Sequence, residues 1–133
     1  LSLHDALPIS VAGGVAEAIS SARAYAGHLV KIEVEVDTLE QMRKALVARP
    51  DAILLDNMGP DLLRDAVEIN RAHHGLDEAD YAAAVGRTML EASGNVNLQT
   101  IRAIAEAGVD YISTSKVTMA APTLDIGLDV EID

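Results

Sequence analysis

Two hydrophobic periods alternate along this chain, and that alternation restricts its fold more than any other feature. Short runs in which every second residue is apolar or β-branched take turns with stretches whose apolar residues recur every three to four positions. These are the signatures of strands and amphipathic helices. Ala16, Ile19, Ala22 and Ala26 lie at helical spacing and stop at Gly27. Residues 30–36, VKIEVEV, alternate with period two and predict a strand. Asp37 or Thr38 can cap the next helix, which carries Leu39, Met42, Ala45 and Leu46 on one side and ends at Pro50. Residues 52–55 predict a short buried strand that stops at Asp56. Gly59, Pro60 and Asp61 then open a helix bearing Leu62, Leu63, Ala66, Val67 and Ile69, with Pro where a helix start tolerates it. The pattern weakens over residues 73–84, which read as an inserted loop or short extra helix. Residues 87–92 predict a third strand, 97–107 a helix ended by Gly108, and 109–113 a fourth strand.

Strands alternating with helices of this length imply right-handed parallel crossovers. Four strands are too few to close an eight-stranded barrel, and the first helix has no strand before it. The expected fold is therefore α/β, the later part of an incomplete parallel, TIM-like barrel occupying residues 11–133. The first ten residues, LSLHDALPIS, have neither an initiator Met nor the basic start and apolar stretch of a signal peptide. They look like the translation of a sequencing adapter and are read as an artefactual leader.

Composition excludes several classes of function. A chain of 133 residues is one domain at most. Ten basic against 21 acidic residues give a net charge of -11, which opposes binding to a phosphate backbone. Three Tyr without Phe or Trp supply no stacking platform for bases, so nucleic acid is not an expected partner. No apolar run approaches the roughly 20 residues that span a bilayer. The absence of cysteine removes disulfides, thiolate zinc sites and cysteine nucleophiles, and suits a reducing cytoplasm.

Polar residues collect where each strand finishes: Glu35, Asp56, Glu91 with Ser93 and Gly94, then Ser113 to Ser115. In a parallel barrel these ends face the active site. Each has an ordinary alternative. Glu33 and Glu35 would share one face of a strand, which is a solvated face if exposed. Asp56 and Asn57 could simply form an Asx turn or helix cap. As a pair on one rim, Glu35 and Asp56 suit Mg2+, which prefers hard oxygen ligands. Ser93, Gly94 and Asn95 lead into a helix expected near Asn97, whose N-terminus can hold an anion, although any tight turn needs such residues. Thr114, Ser115 and Lys116 repeat the theme with two hydroxyls and a cation. His4, His28, His73 and His74 show no metal-ligand spacing, and the His73-His74 pair reads as exposed loop. Gly13-Gly14 reads as a helix-entry turn.

The order VAGGVAEAI, IEVEVDTLEQ, ILLDN, LEASGNVNLQTI, GVDYIS and LDIGLD resembles quinolinate phosphoribosyltransferase, also called nicotinate-nucleotide pyrophosphorylase (carboxylating). The resemblance runs from about residue 9 to the end. It implies the second half of the family's incomplete α/β barrel, in a pentosyltransferase that works as a homodimer or hexamer. The implied reaction turns quinolinate and phosphoribosyl pyrophosphate into nicotinate mononucleotide, carbon dioxide and pyrophosphate with Mg2+, in NAD biosynthesis. By the same resemblance Glu35 and Asp56 lie near the metal and ribose hydroxyls, Ser93, Gly94 and Asn95 form one phosphate loop, and Thr114, Ser115 and Lys116 the other. The family's Lys-Asp-Asn-His motif would fall where Ala6, Leu7 and Pro8 stand, and its basic substrate-binding residues lie upstream, so this chain alone is expected to be inactive. Asn95, Ser115 and Lys116 depart from the family's usual glycine and apolar residues. Two alternatives stay open: a relative of the same fold associated with molybdenum transport, and a phosphate- or nucleotide-binding module without chemistry.

Overall fold

Four strands lie side by side in chain order, all parallel: β1 (Glu33–Val36), β2 (Ala52–Asp56), β3 (Met89–Ser93) and β4 (Tyr111–Ser113). The computed structural model describes residues 14–116. The ten-residue leader, His4, Gly13 and the LDIGLD segment lie outside the described residues. The strands are joined by α2 (Leu39–Val47), α3 (Pro60–His73) with the short α4 (Glu78–Tyr81), and α5 (Ile101–Ala105), and α1 (Val15–Tyr25) precedes them.

Consecutive order with every connection a crossover is the winding of a TIM-like barrel, since a doubly wound sheet would reverse its order part-way. Burial agrees. Val36, Ile53, Leu55, Leu90 and Ala92 point to one face and are 2% exposed or less, packed with Met42, Ala45, Leu46, Leu63 and Ala66 of the helices. Each buried Leu or Ile of this kind contributes roughly 1.5–3 kcal/mol. The opposite face carries Glu33, Glu35, Asp56, Glu91 and Ser93 and is only partly covered. The expected α/β class and barrel winding are therefore present, with helices on one face and most of the strands' polar residues on the other. Among the described residues no helix is long and apolar enough to cross a membrane.

Local chemistry sets the boundaries. Thr38 caps α2 in a reciprocal box: its hydroxyl accepts from the Gln41 backbone N–H at 3.2 Å, while Gln41 Oε1 accepts from the N–H groups of Asp37 and Thr38. Pro60 opens α3 as expected. The first strand starts later than residue 30, because Val30 N–H closes a turn onto the Gly27 carbonyl. The helix expected from residue 97 starts at Ile101. Asn97 Oδ1 accepts from the N–H groups of Gln99 and Thr100, and Thr100 Oγ1 from that of Asn97, so a side-chain turn replaces the first helical turn. The helix terminus expected to hold an anion there is consequently displaced and short.

Residues 73–84 contain the short extra helix that is one of the two readings of this stretch, α4. His73 is exposed, but His74 is half-buried and its Nε2 accepts from Thr88 N–H at 3.2 Å. The reading of His73-His74 as an exposed pair is corrected for His74. Burial, followed by the positive neighbours His73, Arg49 and Arg87, holds its pKa below the ordinary 6.5. Tyr81 is buried, and its hydroxyl accepts from Asn70 Nδ2 at 2.7 Å. Arg87 lies over the Tyr81 ring, donates to the Tyr81 carbonyl and forms a two-pronged ion pair with Asp110, which also accepts from Leu90 N–H. This network closes the end of the sheet opposite the strand C-termini, where barrels place stability rather than chemistry.

Candidate functional site

The strand register explains why distant residues meet at the C-terminal edge. Asp56 pairs with Ser93, and Ser93 with Ser113, so three polar residues form a row across β2, β3 and β4. Val36 pairs with Leu55, and one further step sets Asp37 beside Asp56. Period two then brings Glu35 onto the face of Asp37. Carboxylate oxygens of Glu35, Asp37 and Asp56 lie within 4.8 Å of one another. Such a set of hard oxygens fits a magnesium ion that retains part of its water shell.

Asp37 was read from the sequence only as a possible helix cap. Thr38 does that work, which leaves the Asp37 carboxylate on the rim. The signal that could have found it is its spacing of two from Glu35.

Beside the acidic cluster a cavity of about 260 Å³ is lined by Asp56, Asn57, Ser93, Gly94, Asn95, Val96, Thr114, Ser115 and Lys116. Of the residues singled out at the strand ends, Asp56, Ser93, Gly94, Asn95, Thr114, Ser115 and Lys116 line it while Glu35, Glu91 and Ser113 do not, and Asp56 joins it to the cluster that contains Glu35. Three residues of its wall adopt left-handed backbone: Asn57 (φ 53), Gly94 (φ 81) and Asn95 (φ 53). Asn tolerates this region better than most side chains, and strain of this kind concentrates at functional sites. Asn95, which stands where a glycine was expected, thus takes a glycine-like conformation. Its carbonyl is held by Thr100 Oγ1 at 2.8 Å. On the far wall Lys116 N–H donates to Thr114 Oγ1 at 3.2 Å, folding that loop into a tight turn.

Deeper on the same face, Glu33 and Glu91 interact diagonally across β2, since the register sets Glu91 level with Glu35 and Glu33 level with Met89. Burial, then the charge and hydrogen bond of Glu91, then Glu35, raise the Glu33 pKa above the ordinary 4.5. The strands place no Lys or Arg on this face among the described residues. The chemistry available is thus oxygen ligation of a cation at the rim, and binding of a phosphate by hydroxyls, loop backbone and one lysine next to it.

Comparison with known proteins agrees with that geometry. The sequence pattern of the family described as "Quinolinate phosphoribosyl transferase, C-terminal domain" matches residues 3–129. The chain belongs to this family. It is 36% identical over 93% of its length to a probable nicotinate-nucleotide pyrophosphorylase [carboxylating] of Bacillus subtilis, of which the match covers 38%. The nicotinate-nucleotide pyrophosphorylase of Ehrlichia chaffeensis superposes with a TM-score of 0.69 at 34% identity, over 92% of this chain and 39% of that one. NadC from Streptococcus pyogenes gives 0.68 at 34% identity, over 88% and 36%. The chain therefore spans less than half the length of these quinolinate phosphoribosyltransferase relatives.

Proposed function

We propose that this chain is the C-terminal barrel portion of an enzyme that joins quinolinate to phosphoribosyl pyrophosphate, yielding nicotinate mononucleotide, carbon dioxide and pyrophosphate in NAD biosynthesis. The observation that carries the proposal is the junction at Asp56 of an oxygen-ligand cluster and a cavity lined by hydroxyls, loop backbone and a lysine. A bound Mg2+ would neutralise charge on the departing pyrophosphate, and Glu35, Asp37 and Asp56 are the residues to hold it. Loss of pyrophosphate leaves positive charge on the ribose carbon, and in this reading the Glu35 and Asp56 carboxylates stabilise it. Ser93, Gly94 and Asn95 on one wall and Thr114, Ser115 and Lys116 on the other cradle the phosphate of the nucleotide.

A dicarboxylate also needs cations, and the described strand face lacks them. We place those in the remainder of the enzyme, which works as a homodimer or hexamer in the cytoplasm, so that the 133-residue chain binds product without turning substrate over. Calorimetry with nicotinate mononucleotide and Mg2+ tests this: the wild-type chain binds, and Glu35→Ala and Asp56→Ala in the full-length enzyme lower turnover about 100-fold or more while the fold survives. Near-normal turnover in both variants would sink the assigned roles. The missing cations also favour one second reading, a nucleotide-binding module without catalysis, which binding without carbon dioxide release from the full-length protein would establish.

A further inference from the structure

Asn57 belongs to no role assigned above, yet it touches both halves of the site. Its Nδ2 donates to Asp56 Oδ2 at 2.7 Å. Its backbone N–H donates to the Ser93 carbonyl at 2.9 Å, across the gap between β2 and β3. Its Oδ1 lies so close over Gly94 that a Cβ there would come within 2.1 Å. The backbone there is left-handed, with φ 53, and the side chain lies over the loop while remaining exposed to solvent.

We propose that Asn57 is a positioning residue, locking the Asp56 carboxylate against the Ser93–Gly94 loop so that one side chain sets both the cation cluster and the phosphate cavity. The inference rests on the reading of this site as a metal and phosphate site. The physical reason is rotational freedom. A carboxylate at a strand end can turn about its side-chain torsions, and a donor on one oxygen fixes the plane in which the other is offered. Among the described residues no other side chain donates to Asp56. Contact with Gly94 transmits the same constraint to the neighbouring loop, because two interlocked surfaces at van der Waals distance cannot shift independently.

The test uses the 133-residue chain. Asn57→Gly retains the left-handed backbone without steric cost and removes only the side chain. Affinities for Mg2+ alone and for nicotinate mononucleotide alone, measured by calorimetry, should each fall about tenfold, as loss of a hydrogen bond to a charged group implies. The thermal midpoint should move by no more than a few degrees, an outcome that separates positioning from a merely structural role. Wild-type affinity for both probes in this variant overturns the proposal. Should Asn57→Gly fail to fold, Asn57→Asp keeps the shape and tolerates the backbone but replaces the donor. It should bind nicotinate mononucleotide at least tenfold more weakly, and unchanged binding again overturns the idea.

A ligand-independent arm separates this inference from the functional reading. Gly94→Ala should lower the midpoint less in the Asn57→Gly background than in the wild type, because the clashing side chain is gone. If the wild type binds neither probe, the functional reading fails and the interlock is decided by this cycle alone. Equal losses in both backgrounds mean that no interlock exists.

Discussion

Gly94 is the position where the largest effect is expected from the smallest change. A methyl group at this residue would sit 2.1 Å from Asn57 Oδ1, 2.7 Å from its Cγ and 3.2 Å from its Cα. The first two contacts could be relieved by swinging the Asn57 side chain away, but that breaks its hydrogen bond to Asp56 and leaves the backbone contact in place. Overpacking of this kind costs about 1–3 kcal/mol. The φ of +81° adds about 1–2 kcal/mol for any residue with a Cβ. Gly94→Ala should therefore destabilise by about 2–5 kcal/mol, and at roughly 4 °C per kcal/mol for a domain of this size the midpoint should drop by about 8–20 °C. Gly27→Ala is the matched control, since nothing lies within 4 Å of a Cβ there. That change should be neutral or stabilising by about 0.4–1 kcal/mol. Urea titration followed by circular dichroism measures both. A Gly94→Ala variant within about 0.5 kcal/mol of wild type would refute the packing argument for the loop.

Two further outcomes concern the opposite end of the sheet. Asp110→Ala leaves the Arg87 guanidinium, whose side chain is only 3% exposed, without its counter-charge, and deprives Leu90 N–H of its acceptor. Chemical denaturation should show a loss of about 3–5 kcal/mol; a loss under 1 kcal/mol would mean the pair is not buried in solution. His74 is held below 6.5 when folded, so the unfolded chain binds its proton more readily. Its contribution to stability is present above pH 6.5 and is lost as the pH falls through the lowered folded value. His74→Gln keeps an acceptor for Thr88 and does not titrate, so its stability below pH 6.5 should decline less steeply than that of wild type. Parallel acid limbs in the two proteins would remove His74 as the cause.

The rim was legible because its residues stand at strand ends. Glu35 and Asp56 each follow a short apolar or alternating run, and Ser93 with Gly94 and Thr114 with Ser115 occupy the equivalent position one and two units later. Asp37 and Asn57 were not legible as site residues. Each has an adequate local explanation, a helix cap for one and an Asx turn for the other, and only the neighbouring strand shows that neither explanation applies. The shorter α5 has a similar origin: Asn97 and Thr100 fit a helix start by pattern, but their side chains satisfy backbone groups in a competing turn. The polar end of the sheet was hidden for a further reason. Arg87 stands 6 positions from Tyr81 and 23 from Asp110, and the three follow no period that would link them.

The information legible in the sequence is local and periodic: which segments are strands and which are helices, that the strands run parallel, that Pro60 opens a helix, and that polar residues gather at one set of strand ends. These follow from side-chain spacing and backbone preference within a few residues. Tertiary structure alone decided how those ends combine. One register sets Asp56 against Ser93, another sets Val36 against Leu55 and so brings Asp37 near Asp56, and Asn57 folds back over Gly94 only because β3 lies beside β2. Contacts between strands depend on where two chains of residues come into register, and hydrophobic periodicity on each strand specifies a face but not which residue on the next strand it will meet.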